Sequence, residues 1–190
     1  MIRVNIYFSF FDFIFFILLI YLTIPAKDFQ KWIGYADVKS APVHFYVQRN
    51  SNFNTIGTPI PFELARVNEG NAMNLQTGKF TAPRPGIYFF SFTTHVVFPK
   101  TSSLIYFGVQ LYLNGGTIGT SRMEEGNPIG IGNIDQWTPL TLQSTLNLKK
   151  GDQVWVAIYQ QESGAYLADG SESITHFTGF MLEEDIVASL

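Results

Sequence analysis

The chain has 190 residues, of which 46% are hydrophobic, 16% are aromatic and only 14% are charged. Soluble domains usually carry about 25% charged residues, so this composition indicates a large apolar core and further apolar surface, which an oligomer interface or a membrane segment would cover. The net charge of −3, without a basic cluster, argues against nucleic-acid binding, and the lack of cysteine excludes disulfides, thiolate catalysis and cysteine-ligated zinc.

Residues 1–26 form an apolar segment of the kind that directs secretion. Arg3 supplies a basic start, an unbroken apolar run follows Asp12, and Ala26 is a small residue at which cleavage could occur. An uncleaved signal anchor is the main alternative, although Asp12 would be costly inside a bilayer; an erroneous upstream gene start is a third interpretation. We therefore predict a secreted protein with no membrane attachment after cleavage, in which residues 27–40 form a linker.

From residue 41 onward, apolar residues recur at every second position, which is typical of half-buried β-strands. The clearest cases are residues 104–113 and 140–148. Further strands are predicted at 43–48, 61–67, 86–95, 118–123, 154–159 and 174–182. Many short strands separated by Gly, Pro and Asn predict an all-β sandwich or barrel. Because no collagen-like or useful heptad repeat occurs, any assembly of subunits must depend largely on this part of the chain.

The predicted strand 86–95 is apolar on both of its faces. Tyr88, Phe90 and Phe92 point one way, and Ile87 and Phe89 point the other way. A strand of this kind is covered on both sides, and another subunit is the natural cover for the second side of a two-layer sandwich. The alternative is a central strand whose exposed face is only slightly apolar.

Three blocks of residues resemble the signature of the complement C1q globular-head family. The first block contains the aromatic and glycine positions of the family at the family's spacing: Phe62, Asn68, Phe80, Gly86, Tyr88, Phe90 and Phe92. The second block contains Gly151, Asp152 and Trp155, and the third contains Phe177, Gly179 and Phe180. One departure is Met73, where the family usually has an aromatic residue or Leu. Residues 41–185 are thereby identified as a C1q-like domain without a collagen stalk, followed by a tail at 186–190.

The resemblance implies a ten-stranded antiparallel jelly-roll sandwich, similar to tumour necrosis factor ligands, that assembles as a homotrimer. It also implies a secreted, non-catalytic protein that binds proteins, carbohydrates or microbial surfaces. Our leading interpretation is a lectin-like recognition protein of innate immunity. The alternative is a cerebellin-like or TNF-like signalling or matrix ligand that engages a cell-surface receptor.

The sequence contains no convincing catalytic or metal-binding constellation. His44, His95 and His176 lack the spacing of helical metal ligands, and no Gly-x-Ser-x-Gly nucleophile elbow occurs. Some family members bind calcium near the trimer apex, but the loop after residue 98 has no acid, so we expect no cofactor.

Three residues in predicted loops remain as candidates for binding. Asp135 and Asp169 are loop acids that could contribute to a metal site, although turn residues of this kind are more often structural. Trp137 could contact a ligand or anchor the following strand.

Overall fold

The computed structural model describes residues 41–100, 104–126, 135–162, 164–170 and 172–185. The predicted signal peptide (1–26), linker (27–40) and tail (186–190) lie outside these ranges. Within the ranges described, no helix has the length and apolar character needed to cross a membrane.

The described part of the chain is built from eleven β-strands and contains no helix. The strands are β1 (His44–Gln48), β2 (Leu64–Glu69), β3 (Met73–Asn74), β4 (Lys79–Thr81), β5 (Gly86–Phe98), β6 (Leu104–Leu113), β7 (Gly116–Gly126), β8 (Gln136–Leu148), β9 (Gln153–Gln161), β10 (Tyr166–Ala168) and β11 (His176–Glu184). The sequence does not predict β3, β4 and β10, because two or three residues are too few to show an alternation.

The strands form two antiparallel sheets. The six-stranded sheet has the order β10-β5-β11-β1-β2, and β8 pairs with β5 on its other side. The five-stranded sheet has the order β3-β4-β9-β6-β7. The prediction of an all-β antiparallel sandwich is therefore confirmed.

Strand β2 begins three residues later than the predicted strand 61–67. The N–H of Ile60 donates to the carbonyl of Val156 (2.9 Å), and the N–H of Phe62 donates to the carbonyl of Leu75 (2.9 Å). These bonds hold the segment beside the five-stranded sheet. The chain reaches β1 in the other sheet at Glu63, whose N–H donates to the carbonyl of Gln48 (3.1 Å), and β2 begins at Leu64.

Strand β8 begins at Gln136, four residues before the predicted start. Pro139 lies within it, opposite His95 of β5. Proline cannot donate a backbone hydrogen bond, and it is tolerated here because β8 is the edge strand of its sheet. A proline near a strand start therefore concealed the first residues of the strand from the sequence pattern.

The core lies between the two sheets and follows the predicted alternation. On β5, every second residue from Tyr88 to Phe98 is fully buried, and on β6 the same holds from Ile105 to Leu111, where exposure is at most 4%. On β8, Leu140 and Leu148 are buried, while the residues between them on the opposite side are exposed. Burial on one side of each strand fixes the register of the sandwich.

Candidate functional site

The aromatic residues of the family-like signature lie in the core of the single subunit. Phe62, Phe80, Tyr88, Phe90, Phe92 and Phe177 are each at most 4% exposed. Their rings pack at centroid distances such as 5.3 Å for Phe80–Phe90 and 6.0 Å for Phe90–Phe177. The Tyr88 hydroxyl donates to the carbonyl of Arg84 at 2.8 Å, so its polar atom is satisfied. These residues build the scaffold and present no surface to a ligand.

Asn68 and Gly86 of the signature shape turns. The Asn68 side chain donates to the carbonyl of Met73 (2.9 Å) and accepts from its N–H (3.2 Å), which closes the connection between β2 and β3. Gly86 has a φ of +150°, and a Cβ there would lie 2.2 Å from the carbonyl oxygen of Glu183. Only glycine fits where the start of β5 meets the end of β11.

Gly151 and Asp152 form a corner that joins two turns. Gly151 has a φ of +92° and lies in the turn between β8 and β9. The Asp152 carboxylate accepts from the Asn114 side chain (2.9 Å) and from the N–H of Lys149 (2.8 Å). Asn114 lies in the turn between β6 and β7 and also accepts from the N–H of Gln153 at 2.8 Å. The corner is therefore structural.

The Asp152 corner predicts a dependence of stability on pH. The hydrogen bond from Asn114, followed by that from Lys149, lowers the pKa of Asp152 below its ordinary value. The carboxylate therefore stabilises the fold above the pKa of about 4 of the unfolded chain, and this contribution is lost as pH falls through the lower pKa of the folded chain. Because Asp152 lies at the surface and solvent screens its charge, we expect Asp152→Asn to reduce the free energy of unfolding by only about 0.5 kcal/mol at pH 7. In urea titrations the difference from wild type should close between pH 5 and pH 2; a constant difference would show that charge plays no part.

Trp155 is held in a stack on the outside of the five-stranded sheet. The Lys79 ammonium, on β4, lies 4.3 Å from its ring centroid. On β6, Tyr112 stacks against Trp155 at 5.6 Å with an interplanar angle of 8°. Trp155 is partly buried and packs against both neighbours, so it stabilises the surface of the sheet.

The two candidate calcium ligands are not brought together into a metal site. Both carboxylate oxygens of Asp169 accept backbone hydrogen bonds, one from Gly170 (2.6 Å) and one from Thr175 (2.8 Å). Asp135 is exposed immediately before β8. No group of three or more His, Asp or Glu side chains in the described ranges is arranged to hold a metal ion. The geometry of Asp169 is that of a structural turn.

A second surface carries the remaining predicted residues. We call it the outer face: it consists of the alternate residues of β5 from Ile87 to Val97 and the residues directly opposite them on β8, β10 and β11. It continues onto β1 through the residues opposite those of β11, and all of these residues are on the side of the sheet away from the core. Trp137 lies on it, opposite Val97, and is 50% exposed. Its ring meets that of His95 edge-on at 6.4 Å. Trp137 thus belongs to a strand, and half of the residue is exposed in the single subunit.

One end of the outer face carries an apolar patch, which Glu183 of β11 borders opposite Ile87. Phe89 of β5 and Phe180 of β11 are directly opposite and their rings lie 5.4 Å apart. His44 of β1 continues the row, 5.9 Å from Phe180. Ile87 lies next to Phe89 on the same side of β5. The face predicted from Ile87 and Phe89 therefore exists, and Phe180 extends it to the neighbouring strand.

Sequence reasoning missed the neighbours of this patch. His44, Tyr46 and His176 reach the outer face because β1 pairs with β11, and β11 pairs with β5. The alternation shows which residues of one strand share a side, but it does not show which strands are adjacent. The sequence shows that these residues lie on the side of their strands away from the core. Only the pairing of the strands shows that they lie next to one another.

Comparisons with known proteins agree on one family. A model of the C1q domain matches residues 44–182 of the chain. Complement C1q tumor necrosis factor-related protein 2 of Mus musculus is 32% identical over 127 residues, which cover 67% of this chain and 38% of that protein. Complement C1q tumor necrosis factor-related protein 3 of Mus musculus is 30% identical over 142 residues, which cover 75% of this chain and 52% of that protein. The chain thus spans about half or less of the length of these relatives.

A solved structure supports the fold independently. The globular domain of zebrafish complement 1qA protein superimposes with a TM-score of 0.55 at 20% identity, covering 77% of this chain and all of that domain. The prediction of a jelly roll is confirmed. The described residues form eleven strands instead of the ten predicted, and β3 and β10 are among the shortest. Together the match over residues 44–182 and the shared fold show that the chain belongs to the C1q domain family.

Proposed function

We propose that this chain is a secreted C1q-domain protein that assembles as a homotrimer through the outer face and binds extracellular ligands. The observation that carries the assembly proposal is the apolar patch of Ile87, Phe89 and Phe180 on a sheet whose other side already faces the core. A sheet in a two-layer sandwich needs only one apolar side. The second apolar side favours a partner, and three copies around an axis are the arrangement that family membership implies.

The composition of the rest of the outer face fits contact between copies. Trp137, Tyr46 and Tyr166 add aromatic surface, which is enriched at protein interfaces. The residues between them are mainly uncharged, such as Ser91 and Thr178. Because charged residues are depleted from the centres of interfaces, this pattern favours a subunit interface over a solvated surface.

A charge placed in the apolar patch should test the assembly. Phe89→Glu would bring one carboxylate per subunit into the interface, and we expect the purified protein to change from trimer to monomer at micromolar concentration. Light scattering coupled to size-exclusion chromatography would measure the mass. The matched control is Thr120→Glu, which adds the same charge at an exposed position of β7 on the other sheet and should remain trimeric.

Two results would contradict the proposed assembly. Wild-type protein that is monomeric at pH 7.5 would exclude a stable trimer. A Phe89→Glu protein that stays trimeric would place the interface elsewhere. Circular dichroism of the variant should match wild type, because Phe89 lies outside the core.

C1q-family domains are non-catalytic binding domains, and this chain is not an enzyme. We propose that its ligands are carbohydrates or proteins of microbial surfaces, in line with a recognition role in innate immunity. Secretion is supported by the apolar residues 1–26 with Arg3 and Ala26. Binding of the purified wild-type protein to a glycan array and to whole bacteria tests the ligand class. Binding to animal cells alone would instead favour a receptor-engaging signalling ligand.

A further inference from the structure

The turn between β6 and β7 contains the only Asn-Gly dipeptide of the chain, Asn114-Gly115. Asn114 has a φ of +51° and Gly115 a φ of +91°, which is the backbone of a two-residue type I′ hairpin turn. Both residues are exposed, and nothing lies within 4 Å of the position that a Cβ of Gly115 would occupy. The turn is therefore open to solvent around Gly115.

An asparagine that precedes glycine is chemically labile, because no side chain shields the nitrogen of the glycine. That nitrogen attacks Cγ of the asparagine. The new N–Cγ bond forms, the Cγ–Nδ2 bond breaks, and ammonia leaves with the proton of the attacking nitrogen, so the product is a five-membered succinimide. One water molecule then opens the ring at either of its carbonyls and leaves aspartate or isoaspartate. The reaction needs no reagent other than water.

The fold holds the Asn114 side chain at both of its polar atoms. Nδ2 donates to the Asp152 carboxylate (2.9 Å), and Oδ1 accepts from the N–H of Gln153 (2.8 Å). Ring closure has to move Cγ of Asn114 onto the nitrogen of Gly115, and this movement breaks both hydrogen bonds. The reaction therefore requires the corner to open first, and its rate follows the population of the open form.

Either product is incompatible with the closed corner. In aspartate, an oxygen replaces Nδ2 of Asn114 at 2.9 Å from the Asp152 carboxylate, so a hydrogen bond becomes a contact between like charges. Isoaspartate adds a carbon atom to the main chain, which changes the length of a turn whose two residues set the register of the hairpin. Opening of the corner is thus reversible before the reaction and irreversible after it.

We propose that Asn114 is a site of spontaneous deamidation that the Asp152 corner restrains, and that the modified turn no longer closes the corner. This inference goes beyond the proposed assembly and ligand binding, because no residue of the corner belongs to the outer face. Deamidation would limit the time for which the domain keeps its original stability.

The test is mass spectrometry of the purified protein after incubation at pH 8 and 37 °C, in buffer and in denaturing urea. Trypsin cleavage after Lys100 and Arg122 releases a peptide in which Asn114 is the only asparagine, so the mass increase of deamidation assigns the site. We expect the folded protein to react at least tenfold more slowly than the unfolded protein. Asp152→Ala removes the acceptor of Nδ2 and should raise the rate of the folded protein at least threefold. The matched control Asp169→Ala removes another carboxylate that holds a turn and should leave the rate unchanged.

Four results would decide against defined parts of the proposal. No deamidation in urea would show that Asn114 is not a modification site. Equal rates in buffer and in urea would show that the fold does not restrain the reaction. A folded Asp152→Ala protein that reacts as wild type does would overturn the role of Asp152. An equal rise in Asp169→Ala would assign the reaction to general unfolding instead of opening of the corner.

Exchange of the two side chains tests the consequence of the modification. Asn114→Asp is the aspartate product and should lower the urea midpoint of unfolding. The double variant Asn114→Asp/Asp152→Asn again places one amide against one carboxylate, and the N–H groups of Gln153 and Lys149 keep their acceptors. Its midpoint should therefore lie above that of Asn114→Asp. A double variant whose midpoint falls by the sum of the two single losses would overturn the like-charge contact as the reason that the corner stays open.

Discussion

Replacing Phe90 by alanine should remove about 3–5 kcal/mol from the free energy of unfolding. The Phe90 side chain is fully buried at the centre of the aromatic cluster. Its ring lies 5.3 Å from that of Phe80, 6.0 Å from Phe177 and 6.3 Å from both Phe45 and Tyr88. Because the ring is in contact with both sheets, the surrounding side chains cannot close the space without separating strands, and the cavity term adds to the lost apolar burial.

Urea denaturation followed by circular dichroism would measure this loss. Phe90→Leu retains most of the volume and should lose less than half as much. The titrations need several protein concentrations, because dissociation of an oligomer contributes to its apparent stability. A loss below about 1 kcal/mol for Phe90→Ala would contradict a close-packed core at this position.

The neighbouring residue provides a contrast that separates folding from assembly. Phe89 has the same side chain one position earlier on β5, but it points to the outer face. Substitution of Phe90 should lower the stability of the subunit, whereas substitution of Phe89 should lower the association of subunits. One strand would then serve folding on its inner side and the proposed assembly on its outer side.

Alternation in the sequence was sufficient to predict the sides of individual strands. Strand β6 has the predicted bounds, Leu104–Leu113, because its apolar residues alternate without interruption up to the Asn114 turn. Strand β8 was predicted too short, because Pro139 interrupts the pattern at an edge where proline is tolerated. The alternation of apolar residues thus determined that each segment is a strand. The position of the strand in the sheet determined where it begins.

The pairing of strands could not be read from alternation, and the candidate site depends on pairing. Phe180 meets Phe89 only because β11 lies between β1 and β5. Within the third signature block, Phe177 points into the core while Phe180, three residues later, points out. The resemblance to a family assigned both residues to the domain. The register of β11 against β5 was needed to show that Phe177 lies in the core and Phe180 on the surface.

Gly179→Ala should destabilise the subunit by about 3 kcal/mol, the upper end of the usual range for an overpacked core. Gly179 lies on β11 with its α-carbon against the aromatic cluster. A Cβ at this position would lie 2.5 Å from Cε1 of Phe45 and 2.7 Å from Cδ1 of Phe90. Both rings are fully buried and pack against each other. Neither ring can move away from the new Cβ without displacing other rings of the cluster.

A double-mutant cycle would distinguish this clash from a general cost of replacing glycine. Phe45→Leu shortens the ring that the new Cβ approaches most closely, so the double variant Gly179→Ala/Phe45→Leu should be more stable than the sum of the two single losses predicts. Gly116→Ala is the control, because a Cβ there meets only ordinary contacts at 3.5 Å, and it should be nearly neutral. If Gly179→Ala were equally neutral, β11 would not lie this close to the rings. Gly179 therefore permits β11 to lie close to the aromatic cluster. The same strand directs Phe177 into the core and Phe180 and His176 to the outer face, so packing at this glycine also positions the outer face.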